Sequence, residues 1–182
     1  MCSKVFRLSC FFLMALAATT IGCGDHDDHD DHNHSDHSDH EGGAVEEACE
    51  HLADGPAESV TAVVDMASTL PSIAADHKRY DIALVDDGNG VKTGLIEFSA
   101  DEAGDFVVFL NGDVELSVLA LADGQEVAAE ATGEGVGTCS EIVASSTFEF
   151  EVGTYMFSFG PTDAEEVQVV VEHSEHEGHS EE

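Results

Sequence analysis

Residues 24–43 read GDHDDHDDHNHSDHSDHEGG, with six His, seven Asp, one Glu and not one apolar side chain. A stretch with nothing to bury cannot offset the entropy of ordering its backbone, so residues 23–43 are expected to form a disordered tether. The last ten residues, HSEHEGHSEE, hold three His and four Glu and are expected to form a second disordered tail over residues 173–182. Any core must come from residues 44–172, a length that suits one domain.

The chain begins with a leader. Lys4 and Arg7 precede an apolar run at residues 8–18 (LSCFFLMALAA), which is signal-peptide length and too short for a membrane-spanning helix. The run is followed by Thr20-Ile21-Gly22-Cys23, which resembles the lipobox of bacterial lipoproteins. The resemblance implies a signal peptide over residues 1–22, cleavage before Cys23 and lipidation of Cys23 on its thiol and amine. The alternative is ordinary cleavage near Ala15-Leu16-Ala17, which leaves Cys23 a free thiol.

Thiol arithmetic favours the first course. Cys2 and Cys10 leave with the leader, so Cys23, Cys49 and Cys139 remain, an odd number for an exported chain. Acylating Cys23 leaves Cys49 and Cys139 to pair as a disulfide in an oxidising compartment. A zinc site formed by the two thiols with His51 is the competing reading. Charge narrows the partners further. After leader removal only Lys78, Arg79 and Lys92 stand against 39 acidic residues. Such a surface repels nucleic acid and anionic lipid headgroups and attracts cations.

Within residues 44–172 the pattern starts with a short helix, where Val45, Ala48, Cys49 and Leu52 share a face until Gly55-Pro56 ends it. The period then becomes two. Val60, Ala62, Val64 and Met66 alternate with Thr61, Val63 and Asp65, although a second helix fits there too. Residues 80–85 and 94–98 flank Asn89-Gly90, a strong hairpin signal. The wholly apolar residues 106–110 suit a strand covered on both faces. Strands follow at Val114 to Ala120, at Phe148, Phe150 and Val152, at Tyr155, Phe157 and Phe159, and at Val167, Val169 and Val171. The fold class expected is all-β: an antiparallel, jelly-roll-like β-sandwich of seven or eight strands with a short N-terminal helix.

The run Phe98-Ser99-Ala100-Asp101-Glu102-Ala103-Gly104-Asp105-Phe106 resembles the F-x-A-x-x-A-G-x-[YF] element of bacterial pre-peptidase C-terminal domains. Val114 to Gly124 is similar to their next strand and its Asp-Gly turn, and Val152-Gly153-Thr154-Tyr155 to their hairpin. The resemblance covers residues 91–160. It implies an exported jelly-roll-like sandwich without catalysis of its own.

The sharpest chemical signal is the spacing of histidine. His26, His29 and His32 lie three apart, as do His34, His37 and His40, and His173, His176 and His179 at the other end. Neutral imidazole suits zinc, copper and nickel, and carboxylates can complete a tetrahedral shell. A solvated spacer explains polarity but not nine His in such short stretches.

Other candidates are weaker. His51 falls on the polar side of the helix and is expected to be exposed, and His77, which could ligate a metal, is expected to have a structural role at a strand entry. The loop Asp86-Asp87-Gly88-Asn89-Gly90 lacks EF-hand spacing and suits a hairpin. Neither nucleophile-elbow, zincin, phosphate-loop nor dinucleotide fingerprints occur in the sequence, so an enzyme is not expected.

The function expected is a lipid-anchored cell-envelope protein whose tails bind zinc or another divalent transition metal, as a buffer or for hand-over to uptake. Its partners are then the membrane, divalent cations, and a metal transporter or other envelope protein. The alternative is a non-catalytic binding or adhesion sandwich held off the membrane by solvated spacers.

Overall fold

The computed structural model describes residues 43–174. The chain opens with α1 (Ala44–Asp54), and twelve strands follow among the described residues. They are β1 (Ala57–Thr61), β2 (Ser72–Ala74), β3 (Arg79–Ala83), β4 (Val85–Asp86), β5 (Lys92–Ala100), β6 (Gly104–Leu110) and β7 (Leu116–Ala120), then β8 (Glu126–Val127), β9 (Ala131–Val136), β10 (Cys139–Phe150), β11 (Gly153–Thr162) and β12 (Glu166–Ser174). One sheet runs β1-β3-β12-β6-β10-β9; the other runs β2-β5-β11-β7-β8, with β4 also on β5.

The β-sandwich is as expected, with three differences. Most pairings are antiparallel, but β1 with β3 and β2 with β5 are parallel, so both sheets are mixed. A hydrophobic pattern has no sense of strand direction and could not reveal this. The extra strands are short or glycine-rich: β4 and β8 span two residues each, and β9 contains Gly133 and Gly135. Neither kind leaves a readable alternation. The alternation after Val60 also ends early. Val60 and Ala62 are buried, but Val64 and Met66 are 51% and 62% exposed, because the chain leaves the sheet after one bridge from Val63 to Leu95.

Alternation explains the core. β6 and β10 send Phe106, Phe148 and Phe150 inward to meet Phe98, Tyr155 and Phe157 of β5 and β11. Phe98 stacks on Phe157 at 5.0 Å and meets Phe106 edge-on at 5.7 Å. Such aromatic pairs add about 0.5–1.5 kcal/mol each beyond their buried area.

The outer face of the first sheet has a cover of its own. Ala48 and Leu52 of α1 lie on Phe109, Ile142 and Val170, and the Cys49–Cys139 disulfide ties the helix to β10. This second core is why residues 106–110 of β6 read as apolar throughout. It is also why Val169, Val170 and Val171 are all buried.

Candidate metal centre

The site lies where the end of α1 meets the sheet, and three segments build it. The helix carries Glu46 and Glu47 in its first turn and His51 in its last, the charge order that suits its dipole. At its end the Gly55 N–H donates to the carbonyls of Glu50 and His51. A Cβ on Gly55 would come within 2.6 Å of the His51 Cα and 2.9 Å of its Nδ1, so glycine is what lets the chain turn closely past that histidine.

Arg79 fastens β3 to this corner. Its Nη1 donates to the Leu52 carbonyl at 2.8 Å and its Nε to Asp81 Oδ1 at 2.8 Å. The segment leading into β3 is equally pinned. The Tyr80 hydroxyl donates to Asp76 Oδ1 at 2.9 Å and accepts from the Ala74 N–H at 3.1 Å, while Lys78 Nζ bridges Asp76 and Glu58 at 2.9 and 2.6 Å. Between these anchors His77 has φ 55, the left-handed region that is uncommon for a residue with a side chain. Backbone strain of this kind, held in place by its surroundings, is a pointer to function.

β12 supplies the third member. It lies antiparallel to β3 with Val169 opposite Tyr80, so continuing the register sets Glu172 level with His77. On its other edge β12 is held to the end of β6 by Asn111, whose Oδ1 accepts the Gln168 N–H at 2.7 Å and whose Nδ2 donates to Gln168 Oε1 at 2.9 Å. Strand alternation turns Glu172 to the helix-covered face, where it is only 2% exposed.

The three side chains converge. Glu172 Oε2 lies 3.1 Å from His77 Nδ1, and Glu172 Oε1 lies 3.8 Å from His51 Nε2. One donor atom from each residue fits within 4.8 Å of the others. Ligands about 2.0–2.1 Å from a tetrahedral zinc stand roughly 3.3 Å apart, so little movement is needed to close a shell. Glu172 Oε1 and His51 Nδ1 are buried without a hydrogen-bond partner. Burial pushes the Glu172 carboxyl up to about 7; the charges of Glu47 and Asp76 push the same way, and His77 opposes them. A buried, under-satisfied carboxylate between two imidazoles is costly without a cation. His77, 70% exposed, leaves the cluster open to solvent.

The sequence offers His51 as a zinc ligand only beside the two thiols and His77 only as a secondary candidate, and it does not single out Glu172. His51 is mostly buried rather than exposed, since the helix turns this part of its polar side onto the sheet. His77 sits at a strand entry as expected, yet it faces a partner almost a hundred residues away. Glu172 gave one usable signal: it follows three consecutive buried valines, a sign that both faces of its strand are covered.

Cys49 and Cys139 are joined in the expected disulfide, so their proximity to Glu141 offers no thiolate site. Cys23 and His26, His29, His32, His34, His37, His40, His176 and His179 lie outside the described residues. His173 departs from the expected tail, because β12 continues to Ser174 and pairs His173 with Phe106. Its ring packs edge-on against Phe106 at 4.8 Å, with Nδ1 3.8 Å from Glu102 Oε1. Alternation puts it on the sheet face opposite Glu172. A groove of about 590 Å³ at the start of α1, lined by Val45, Glu46, Val107 and Phe109 among others, shares no residue with the cluster.

No protein-family model matches this chain, and no curated protein matches it. Among solved structures it is similar to PliG of Salmonella Typhimurium, a periplasmic inhibitor of g-type lysozyme, at 14% identity over 57% of this chain and 100% of that one, with a TM-score of 0.32. A likeness at that level says nothing about function.

Proposed function

We propose that this is a lipid-anchored protein of the bacterial cell envelope that binds a divalent transition metal, with zinc the best match to its donors. The observation that carries the reading is the meeting of His51, His77 and the buried Glu172. Two imidazoles and a carboxylate are borderline-to-hard donors suited to zinc, and each comes from a different element of a rigid scaffold. The His-rich tails add capacity: closely spaced imidazoles and carboxylates on a strongly acidic chain collect cations, and the folded cluster holds one in fixed geometry. The lipid on Cys23 keeps both at the membrane, where the metal is buffered or handed to an uptake partner. No helix among the described residues is long and apolar enough to cross a membrane.

The adhesion alternative draws less support. Every described Phe and Tyr is buried, which leaves no exposed aromatic platform for a glycan among the described residues.

Zinc titration by calorimetry tests the proposal on three forms of the full chain. The native chain takes up several equivalents. With the eight tail histidines replaced by Asn, one equivalent remains; adding His51→Ala and His77→Ala removes it. No uptake by the tail-substituted chain, or uptake indifferent to His51 and His77, overturns the folded site.

A further inference from the structure

The three donors leave a tetrahedral shell one ligand short, and α1 carries a fourth. Glu47 precedes His51 by four residues, so the two side chains lie one above the other on one helical face, with Cβ atoms about 5–6 Å apart. This is the spacing at which two helical side chains can grip one ion. Glu47 is half-buried; its N–H donates to the Gly43 carbonyl, and its carboxylate has no hydrogen-bond or ion-pair partner among the described residues. Its charge reaches Glu172.

The nearby alternatives are committed elsewhere. Asp76 also reaches Glu172, but it accepts the Tyr80 hydroxyl and holds Lys78. Glu50 is exposed and adjacent to His51 in sequence, which turns it to another face of the helix.

We propose that Glu47 is the fourth ligand, so that Glu47 and His51 of α1 close on a zinc ion held from below by His77 and Glu172. This rests on the reading of the cluster as a metal site and goes beyond it by completing the shell. Charge supports the assignment. Glu172 alone leaves a bound zinc ion with a net positive charge, whereas two carboxylates and two neutral imidazoles neutralise it. Four protein ligands also leave no open position for an activated water, as in sites that hold metal rather than use it for hydrolysis. The ion then clips the helix to β12 and to the entry of β3.

The test uses the full chain with its eight tail histidines replaced by Asn, loaded with Co²⁺ for spectroscopy and with zinc in competition against a chromophoric chelator. The parent is expected to give the intense visible bands of tetrahedral cobalt. Glu47→Gln should weaken zinc binding at least roughly tenfold, the lower end of the loss seen even for outer-shell partners. Its cobalt spectrum should fade towards that of a water-completed shell. Glu50→Gln should match the parent in both. If Glu47→Gln binds and absorbs like the parent while His51→Ala and Glu172→Gln do not bind, the fourth-ligand assignment is wrong and the metal site stands. If all three variants match the parent, both fail. Circular dichroism of each variant separates loss of ligand from loss of fold.

Discussion

His77 Nδ1 stands 3.1 Å from Glu172 Oε2, although the two residues are almost a hundred positions apart in sequence. The contact follows from backbone pairing. β12 runs antiparallel to β3, and the register that sets Val169 against Tyr80 carries Glu172 to the level of His77. The helix then folds His51 over the same carboxylate. Each residue alone has an ordinary structural explanation. Together they enclose a carboxylate whose Oε1 makes no hydrogen bond.

That cost is measurable. Burial raises the Glu172 carboxyl to about 7, so the folded chain holds its proton more tightly than the unfolded chain does. A raised folded value means the stabilising contribution is complete below the ordinary carboxylate range and is lost as pH climbs through about 7. His51, His77, Glu47 and Asp76 face this group, and of the charges acting on it only His77 opposes the rise. In chelator, Glu172→Gln is therefore expected to gain on the native chain as pH rises from about 5 to about 8, by about 1–3 kcal/mol. Melting curves across that range check it. The same variant should lose its stabilisation by zinc.

The disulfide holds the ligand helix in place. A helix of 11 residues is marginal in isolation, and only Ala48 and Leu52 are fully buried in α1. Cys49→Ser with Cys139→Ser opens a loop with a sequence separation of 90, worth about 4–5 kcal/mol in the chain-entropy model. Denaturant melts should show a loss of that order. Zinc affinity should fall too, because His51 is no longer held over Glu172.

Gly104 and His173 make a contrasting pair. Gly104 has φ +153, and a Cβ there would collide with His173 Nε2. Gly104→Ala should cost more than about 1 kcal/mol in denaturant melts, and less in a chain that already carries His173→Ala. Zinc binding at the seam should be unchanged, since His173 lies on the opposite face of the sheet.

The anchor is tested by fractionation. Cys23→Ala should move the protein from the membrane to the soluble fraction and remove lipid label. Retention of the variant on membranes after a salt wash would contradict lipidation at that position.

Much of the scaffold is legible in the sequence. The helix shows in the spacing of Val45, Ala48, Cys49 and Leu52, and the disulfide in a count of thiols; Asn89-Gly90 marks the turn between β4 and β5, but Tyr80 to Ala83 of the expected hairpin strand pair with β1 and β12 in the other sheet. The candidate site is not legible, for a physical reason. His51 and His77 are 26 residues apart, and Glu172 lies beyond both; the antiparallel pairing of β3 with β12 brings His77 to Glu172, and the packing of α1 on the outer face of that sheet, with the disulfide, brings His51. Local pattern carries neither pairing. The tail histidines attract attention because they repeat, whereas the folded histidines do not.

Anomalous diffraction at the zinc edge, on crystals of the zinc-loaded chain, tests the folded site most directly. A strong peak is expected within about 2.0–2.2 Å of His51 Nε2, His77 Nδ1 and a Glu172 oxygen. A fully loaded crystal with no peak there, and zinc bound only elsewhere, would contradict it.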